Sequence, residues 1–256
     1  MSTLYDTWTL HSWSEWLSRR DPASVTTVTV LHVDDHRDLG SPRLFIKGTG
    51  WQDPLTNQPV DLYRSATVVH AIESGSLGMG SFFTPFLHAV PTAQVRHLCQ
   101  PPKAQATQDF RIIPCQEADQ LLAPDSLRPA IRLAPTANGT TGSGHYRLTS
   151  DVGAWLEEIR PGPILLHIDM DYFNNRYDGD SDWQRRTWIL DSSLEEILGK
   201  IDELTRALAN SGVGSQLEDI VIAYSPGFFP AEYWQTASER LLPALARIQD
   251  AWTPLG

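Results

Sequence analysis

Cysteine is scarce in this chain of 256 residues, which contains only Cys99 and Cys115. Two cysteines are too few for a disulfide framework and agree with a reducing compartment, so we expect a cytoplasmic protein. Long apolar runs are missing as well, since none reaches the roughly 18 residues of a membrane-spanning helix. The N-terminal segment lacks the basic and apolar stretches of a secretory signal. The sequence therefore predicts no association with a membrane.

Positive charge is in deficit. The chain has 20 Lys and Arg residues against 31 Asp and Glu residues, which gives a formal net charge of −11. Proteins that bind nucleic acid normally present a basic face, so we expect no nucleic-acid partner. The acidic surplus is compatible with a cationic substrate, although ordinary solubility is the commoner reason for it.

Apolar and polar residues alternate along the chain in the manner of an α/β protein. Continuous β-branched and apolar stretches predict strands that are buried on both faces, as in a parallel sheet. Apolar residues at helical spacing predict helices between and after them. The length suits one domain over residues 1–256. The predicted strands are 25–33, 163–168 and 219–224, and the predicted helices are 151–159, 192–210 and 233–250.

Local signals add detail to this outline. Ser192 and Glu195 predict a capping box at the start of the helix over 192–210, and Pro243 predicts a kink or break in the last helix. Residues 40–62 and 134–150 are rich in turn-forming residues. Both segments predict long loops, which are often functional in a compact domain.

Acidic residues follow two of the predicted strands. Asp34, His36 and Asp38 alternate after the first strand, and Asp169 and Asp171 come directly after the second. Residues two apart in an extended chain point to the same side, and the carboxyl ends of parallel strands are where sites form. Four carboxylates repel one another unless a cation holds them. The pattern predicts a metal site, favouring two divalent ions such as Mn²⁺ or Mg²⁺.

This pattern resembles the signature of the arginase, or ureohydrolase, superfamily, in which Asp-x-His-x-Asp is followed far downstream by Asp-x-Asp. His11-Ser12 precedes Asp34 by the same spacing as the His-Ser pair of that family. The segments HVDDHRDLG, SGSLGMGSFFTPF, HIDMDYFNNRY and SPGFFP resemble a divergent branch that includes the peptide arginases of bacterial ribosomal-peptide pathways. The resemblance extends over most of the chain and implies a three-layer α/β/α arginase-like fold with a mainly parallel central sheet.

The resemblance also implies a ligand set and a reaction. Two Mn²⁺ ions would activate a bridging hydroxide. That hydroxide would attack the guanidinium carbon of an arginine in a precursor peptide, giving ornithine and urea. Asp34 and Asp169 would bridge the ions, and Asp38 or Asp171 would orient the hydroxide. One ion would be held by His11, Asp34, Asp38 and Asp169, and the other by Asp34, His36, Asp169 and Asp171.

Several segments depart from the metabolic arginases. The first ligand lies in Thr-Leu-His instead of Gly-Gly-Asp-His, and the second cluster continues as Asp171-Tyr172-Phe173 without the family's Asp-Pro. The late strand offers Ile222 or Tyr224 where that family has a guanidinium-binding Glu. Loops that would recognise a free amino acid are not recognisable, and their absence agrees with a peptide substrate.

The residues that bind the substrate are less clearly indicated. A guanidinium group is planar and always charged, so its site needs a carboxylate in fork geometry. Glu73, which precedes a glycine-rich turn, is the first candidate for this role, although a solvated Glu at a helix end is an equal alternative. Asp178 and Glu232 are weaker candidates. Asp178 also begins an acidic run over 178–182 that would steer a basic peptide.

Histidines are the usual proton carriers near neutral pH. His70 and His88 are the candidates for delivering a proton to the leaving amine. His32 and His167 each stand two residues before a metal-site aspartate, which suits either residues that support the ligands or ordinary core histidines.

Two other functions remain open at this stage. One is hydrolysis of a small guanidino or amide compound by the same kind of site. The other is a metal-stabilised protein that binds a peptide without catalysis. The single-zinc deacetylase relatives are disfavoured because the ligand set here is complete.

Overall fold

The computed structural model describes residues 1–21, 24–121, 123–136, 144–177 and 191–250, and within these ranges it contains eleven β-strands and six α-helices. The strands are β1 (Ser2–Thr3), β2 (Thr29–Val33), β3 (Phe45–Lys47), β4 (Gly50–Gln52), β5 (Pro59–Val60), β6 (Gln94–Leu98), β7 (Gln108–Ala118), β8 (Leu127–Pro135), β9 (His145–Thr149), β10 (Ile164–Asp169) and β11 (Leu217–Ala223). The helices are α1 (Trp8–Ser18), α2 (Ser65–Glu73), α3 (Phe83–Ala89), α4 (Val152–Leu156), α5 (Leu194–Ser211) and α6 (Trp234–Asp250).

One large sheet organises the fold. Its eight strands lie in the order β1-β11-β10-β2-β6-β9-β7-β8. Neighbouring strands from β1 to β9 run parallel, whereas β7 is antiparallel to both β9 and β8. The predicted α/β class with a mainly parallel sheet is confirmed.

The three strands predicted from apolar runs are β2, β10 and β11, although the first begins only at Thr29 because Ser24–Thr27 form a 3-10 helix. Every residue of β2 and β10 is buried, which explains why both strands read as continuous apolar runs. Successive side chains point to opposite faces, so Val30 and Leu165 join one apolar core while Leu31 and Leu166 join another. Helices α1 to α3 contribute to the first core, and helices α4 to α6 contribute to the second.

Two helix details correct the sequence predictions. Helix α5 is capped by Ser193 with Glu196, one residue later than the predicted capping box of Ser192 with Glu195. Helix α6 continues through Pro243 instead of breaking there. Its amphipathic face stays packed against α5 through buried Leu241 and neighbouring residues, and this burial outweighs the hydrogen bond lost at the proline.

The two predicted loops also contain strands. Residues 40–62 include β3, β4 and β5, which form a small antiparallel sheet. Residues 134–150 include the end of β8 and all of β9, while 137–143 lie outside the described residues. The strands β3, β4 and β5 have only two or three residues, too few to show a period of two. In residues 134–150 the many turn-forming residues favoured a loop, although β9 has five residues. No helix in the described ranges is long and apolar enough to cross a membrane.

Candidate metal centre

Neighbouring strands place the two acidic motifs at the same edge of the sheet. Strand β2 ends at Val33, which pairs with Ile168 of β10, so Asp34 and Asp169 leave adjacent strands side by side. Asp171 follows in a short 3-10 helix over Met170–Tyr172. Asp38 turns back toward the cluster with a positive φ of 52°, a conformation that aspartate tolerates better than most residues. All four carboxylates are buried.

Short contacts join the members of this cluster. His36 Nδ1 lies 2.8 Å from Asp171 Oδ2, and the His36 backbone N–H donates to Asp34 Oδ1 over 2.6 Å. The Asp171 backbone N–H donates to Asp169 Oδ1 over 3.1 Å. The ligand atoms of Asp34, His36 and Asp171 all lie within 4.8 Å of one another. This spacing allows one ion to contact all three.

Asp35 lies between the motif residues but points away from them. Its carboxylate is 2.7 Å from Lys103 Nζ and accepts a hydrogen bond from Asn175 Nδ2 over 2.8 Å. Its backbone N–H donates to Asp171 Oδ1 over 3.2 Å. Asp35 therefore anchors the loop on the side opposite to the cluster. Asp34 and His36 face the cluster, because successive residues of an extended chain point to opposite sides.

Electrostatics of the cluster favour a bound cation. Burial, together with neighbouring carboxylates, raises the pKa of Asp34, Asp38 and Asp169 well above the ordinary value. Burial disfavours the charged form of His36, but pairing with Asp171 outweighs it and raises the pKa of His36 to about 10. Asp34 Oδ2 and Asp38 Oδ2 are buried and accept no hydrogen bond in the described part of the chain. A bound metal ion would satisfy these oxygens and offset the repulsion between the carboxylates.

The cluster lines a pocket of about 280 Å³. Its acidic lining is Asp6, Asp38, Asp169 and Asp171, and its apolar lining is Leu39, Met79 and Phe228. Met79 is 59% exposed and stands at the rim. The pocket therefore combines an acidic floor with apolar walls.

Asp6 is a pocket residue that the sequence did not single out. It follows β1, which lies beside β11, and so it reaches the same edge of the sheet as the other aspartates. It is 5% exposed, and its Oδ2 accepts a hydrogen bond from the Gly80 backbone N–H over 2.6 Å. Burial raises the pKa of Asp6 to about 6 despite this bond. Strand β1 has only two residues, so no apolar run marked it.

The segment after β11 also supplies pocket residues. Ser225 has a positive φ of 43° and donates its hydroxyl to Asp169 Oδ2. The ring of Phe228 packs edge-on against His36 at 5.1 Å. Sequence reasoning searched this segment for an acid at Ile222 or Tyr224. The signal in SPGFFP was instead a strained serine directly after a buried strand.

His11 does not line the pocket, and its Nδ1 is buried without a hydrogen-bond partner in the described part of the chain. Its ring contacts Trp8, and its Nε2 is 3.9 Å from Glu15 Oε1. Helix α1 explains this position, because Trp16 donates to Glu218 at the beginning of β11. The helix thus leads away from the carboxyl edge at about 1.5 Å per residue. Asp6, two residues before the beginning of α1, lines the pocket.

The other predicted site residues lie elsewhere. Glu73 is exposed at the end of α2, and neither it nor His70 of that helix lines the pocket. His88 Nε2 bonds the Ala130 carbonyl at 2.9 Å. Glu232 pairs with Arg176. Asp178 and the rest of the acidic run over 178–182 lie outside the described residues.

A row of buried histidines supports the cluster from within the sheet. His167, His32 and His97 are directly paired across β10, β2 and β6, and all three have no exposed surface. Burial lowers the pKa of each imidazole far below its ordinary value, and to about 3 for His97 and His167. They are therefore neutral. Sequence reasoning noticed His32 and His167 but missed His97, which no motif marks.

The arrangement can hold a divalent cation through carboxylate oxygens and an imidazole, with an open pocket above it for a small polar group. Such a centre can polarise a substrate and activate water. No family model and no curated protein matches this chain, so its function is inferred from the chemistry of this pocket.

Proposed function

We propose that this protein is an arginase-type hydrolase that uses two Mn²⁺ ions to convert arginine side chains of a peptide into ornithine and urea. The observation that carries the proposal is the convergence of four buried aspartates and His36 at one edge of the sheet, where His36 and three of these aspartates, Asp38, Asp169 and Asp171, line one pocket. The proposal includes a three-layer α/β/α arginase-like arrangement, in which α1 to α3 and α4 to α6 cover opposite faces of the sheet.

Five residues would hold the metal ions in this proposal: Asp34, His36, Asp38, Asp169 and Asp171. Two divalent ions lower the pKa of a shared water to near neutrality and so supply a nucleophile. Ser225 would keep Asp169 oriented through its hydroxyl, and the hydrogen bond between His36 and Asp171 would hold both side chains in place. In the overall reaction, water would add to the guanidinium carbon and the bond from that carbon to the side-chain nitrogen would break. The water oxygen would become the urea carbonyl, and both water hydrogens would end on the side-chain nitrogen, which leaves as the ornithine ammonium group.

The pocket suits a cationic group on an apolar stem. Its volume of about 280 Å³ is at the small end for ligand sites, which suits one side chain better than a large cofactor. Leu39 and Phe228 can contact the methylene groups of an arginine while the charged end meets the acidic floor. Among the described residues that line the pocket, Asp6 is the one carboxylate outside the two metal-binding motifs, and we assign it to the guanidinium group in place of Glu73.

The lining favours a peptide over a free amino acid. None of the described residues around the pocket is Lys or Arg. The α-carboxylate of free arginine would therefore have no cationic partner there, whereas a peptide bond needs none. Exposed Met79 at the rim offers a flexible apolar contact for neighbouring peptide residues.

Peptide and free arginine are expected to behave differently. The metal-free protein, reloaded with Mn²⁺, should convert an arginine-containing peptide with the mass loss expected for ornithine formation, seen by mass spectrometry. Free arginine should remain unchanged under the same conditions, because none of the described lining residues is a Lys or Arg that could pair with its carboxylate.

Control reactions contain chelator in place of Mn²⁺, or a peptide with lysine in place of arginine. Turnover restricted to free arginine or another small guanidino compound would replace the proposal by the small-molecule hydrolase. Tight peptide binding without any turnover would replace it by the metal-stabilised binding protein.

A further inference from the structure

Two chains of hydrogen bonds connect the buried histidine row to the metal-binding loop. In the first, His167 Nδ1 lies 3.0 Å from His32 Nδ1, and His32 Nε2 lies 3.0 Å from the backbone carbonyl oxygen of His36. In the second, the Tyr146 hydroxyl lies 2.6 Å from His97 Nδ1, and His97 Nε2 lies 3.0 Å from the carbonyl oxygen of Asp34. Both chains end on the backbone of the loop that carries the ligands.

Hydrogen-bond chemistry assigns one tautomer to each ring. A carbonyl oxygen only accepts, so His32 and His97 must each carry hydrogen on Nε2. A fully buried imidazole is far cheaper to keep neutral than charged, so Nδ1 of these two rings has a lone pair. His167 must then donate from Nδ1 to His32, and the Tyr146 hydroxyl must donate to His97.

We propose that His32 and His97, each backed by its partner His167 or Tyr146, are positioning residues that hold the metal-binding loop by the carbonyl groups of Asp34 and His36. Fixing these two carbonyls fixes the backbone at both ends of the Asp34–His36 segment, and with it the directions of both side chains. This inference rests on the metal site of the proposed function and is independent of its substrate.

The same assignment removes His32 from the ligand set. His32 Nε2, Asp34, Asp38 and His167 are close enough together to form a second group of possible ligands. Both nitrogens of His32 are already used in the hydrogen-bond chain, one as donor and one as acceptor. A ring in this state has no lone pair left for a metal ion.

A purely structural role accounts poorly for this row. His167 Nε2 is buried and has no hydrogen-bond partner in the described part of the chain, which costs stability. Three apolar side chains on adjacent strands would pack without that cost. Apolar side chains at these positions would, however, lack the two donors to the loop carbonyls, His32 Nε2 and His97 Nε2.

The tautomers can be observed directly by long-range ¹H–¹⁵N NMR on histidine-labelled protein, metal-free and loaded with diamagnetic Mg²⁺. The expected result is hydrogen on Nε2 of His32 and His97 and on Nδ1 of His167, with single-histidine variants giving the assignments. Hydrogen on Nδ1 alone in His32 or His97 would overturn the proposal, because Nε2 of that ring could then not donate to the loop carbonyl. This readout requires neither substrate nor turnover.

Metal affinity gives the second test. His97→Leu removes the donor to the Asp34 carbonyl and is expected to weaken Mn²⁺ binding by about 10- to 100-fold, as loss of a group that orients ligands typically does. His97→Gln retains an N–H at the end of its side chain and should recover part of that loss. The Mn²⁺ dissociation constant, measured by EPR of the free ion, reports both.

Trp155→Phe is the matched control, because Trp155 Nε1 also donates to a backbone carbonyl over 2.7 Å, but that carbonyl belongs to Arg96 of β6 and not to the metal-binding loop. It should lower the melting temperature and leave the Mn²⁺ dissociation constant unchanged. An unchanged dissociation constant in a folded His97→Leu protein, or an equal weakening in Trp155→Phe, would refute the positioning role. Failure of the wild-type protein to turn over a peptide would count against the proposed function alone.

Discussion

Asp169→Ala is expected to remove tight Mn²⁺ binding and to reduce turnover by about three orders of magnitude or more, since metal activation of water supplies several kcal/mol of the barrier reduction. Asp169 is 3% exposed and lies between Asp171 and Ser225, whose hydroxyl donates to it. In the proposed site it contacts both ions. Isothermal titration with Mn²⁺ and the peptide assay measure the two losses separately.

The stability of the variant should separate function from folding. Four crowded carboxylates repel one another in the metal-free protein, so removing one is not expected to lower its melting temperature. In the wild-type protein, the free energy of unfolding should instead increase by about 2.7 kcal/mol when free Mn²⁺ is 100-fold above its dissociation constant. The variant should lose this gain. Asp169→Asn repeats the test without leaving a cavity.

Asp125→Ala serves as the control, because Asp125 is an exposed aspartate between β7 and β8. It should keep the Mn²⁺-induced rise in melting temperature and full turnover. An Asp169→Ala or Asp169→Asn protein that still hydrolysed the peptide at the wild-type rate would rule out the two-metal account.

Asp6→Asn is expected to weaken substrate use without emptying the metal site. A hydrogen bond to a charged partner contributes about 1.5–3 kcal/mol, which corresponds to about 10- to 100-fold in kcat/KM. Asparagine can still accept the hydrogen bond from Gly80, so the pocket should keep its shape. The Mn²⁺ dissociation constant and kcat/KM for the peptide, measured on the same protein, give the comparison.

Glu73→Gln separates the two candidate carboxylates. Glu73 is exposed and does not line the pocket, so its neutralisation should leave kcat/KM near the wild-type value. A large decrease of kcat/KM in Glu73→Gln, with no decrease in Asp6→Asn, would identify Glu73 as the residue that binds the guanidinium group. Loss of Mn²⁺ binding in Asp6→Asn would make Asp6 a metal ligand, in the place that spacing predicted for His11.

Sequence patterns predicted the central strands and the meeting of the two aspartate motifs, because both depend on residues close together in the chain. A strand buried on both faces must be apolar throughout, so β2 and β10 were visible as apolar runs. Asp34 directly follows β2, and Asp169 is the last residue of β10. The other polar residues of the two motifs follow at a spacing of two. Parallel strands bring their carboxyl ends to one edge, so convergence of the two motifs followed from the fold class alone.

The other residues of the pocket could not be predicted, because the spacing of residues along the sequence does not give the distances between separate segments. Asp6 enters the site because β1 joins the edge of the sheet beside β11, a contact between chain ends that no local pattern reveals. His11 does not line the pocket, because α1 runs from that edge toward the beginning of β11, where Trp16 donates to Glu218. Glu73 was favoured for its glycine-rich neighbourhood, but only Met79 and Gly80 of that turn reach the pocket.

What the sequence by itself determined is therefore the α/β class, the strands β2, β10 and β11, and the shared edge where the aspartates of both motifs meet. Only the tertiary structure decided which residue completes the acidic floor and how the histidine row reaches the loop. The physical reason is that apolar periodicity and residue spacing act within one strand or helix. Burial and hydrogen bonding between distant segments depend on how those elements pack.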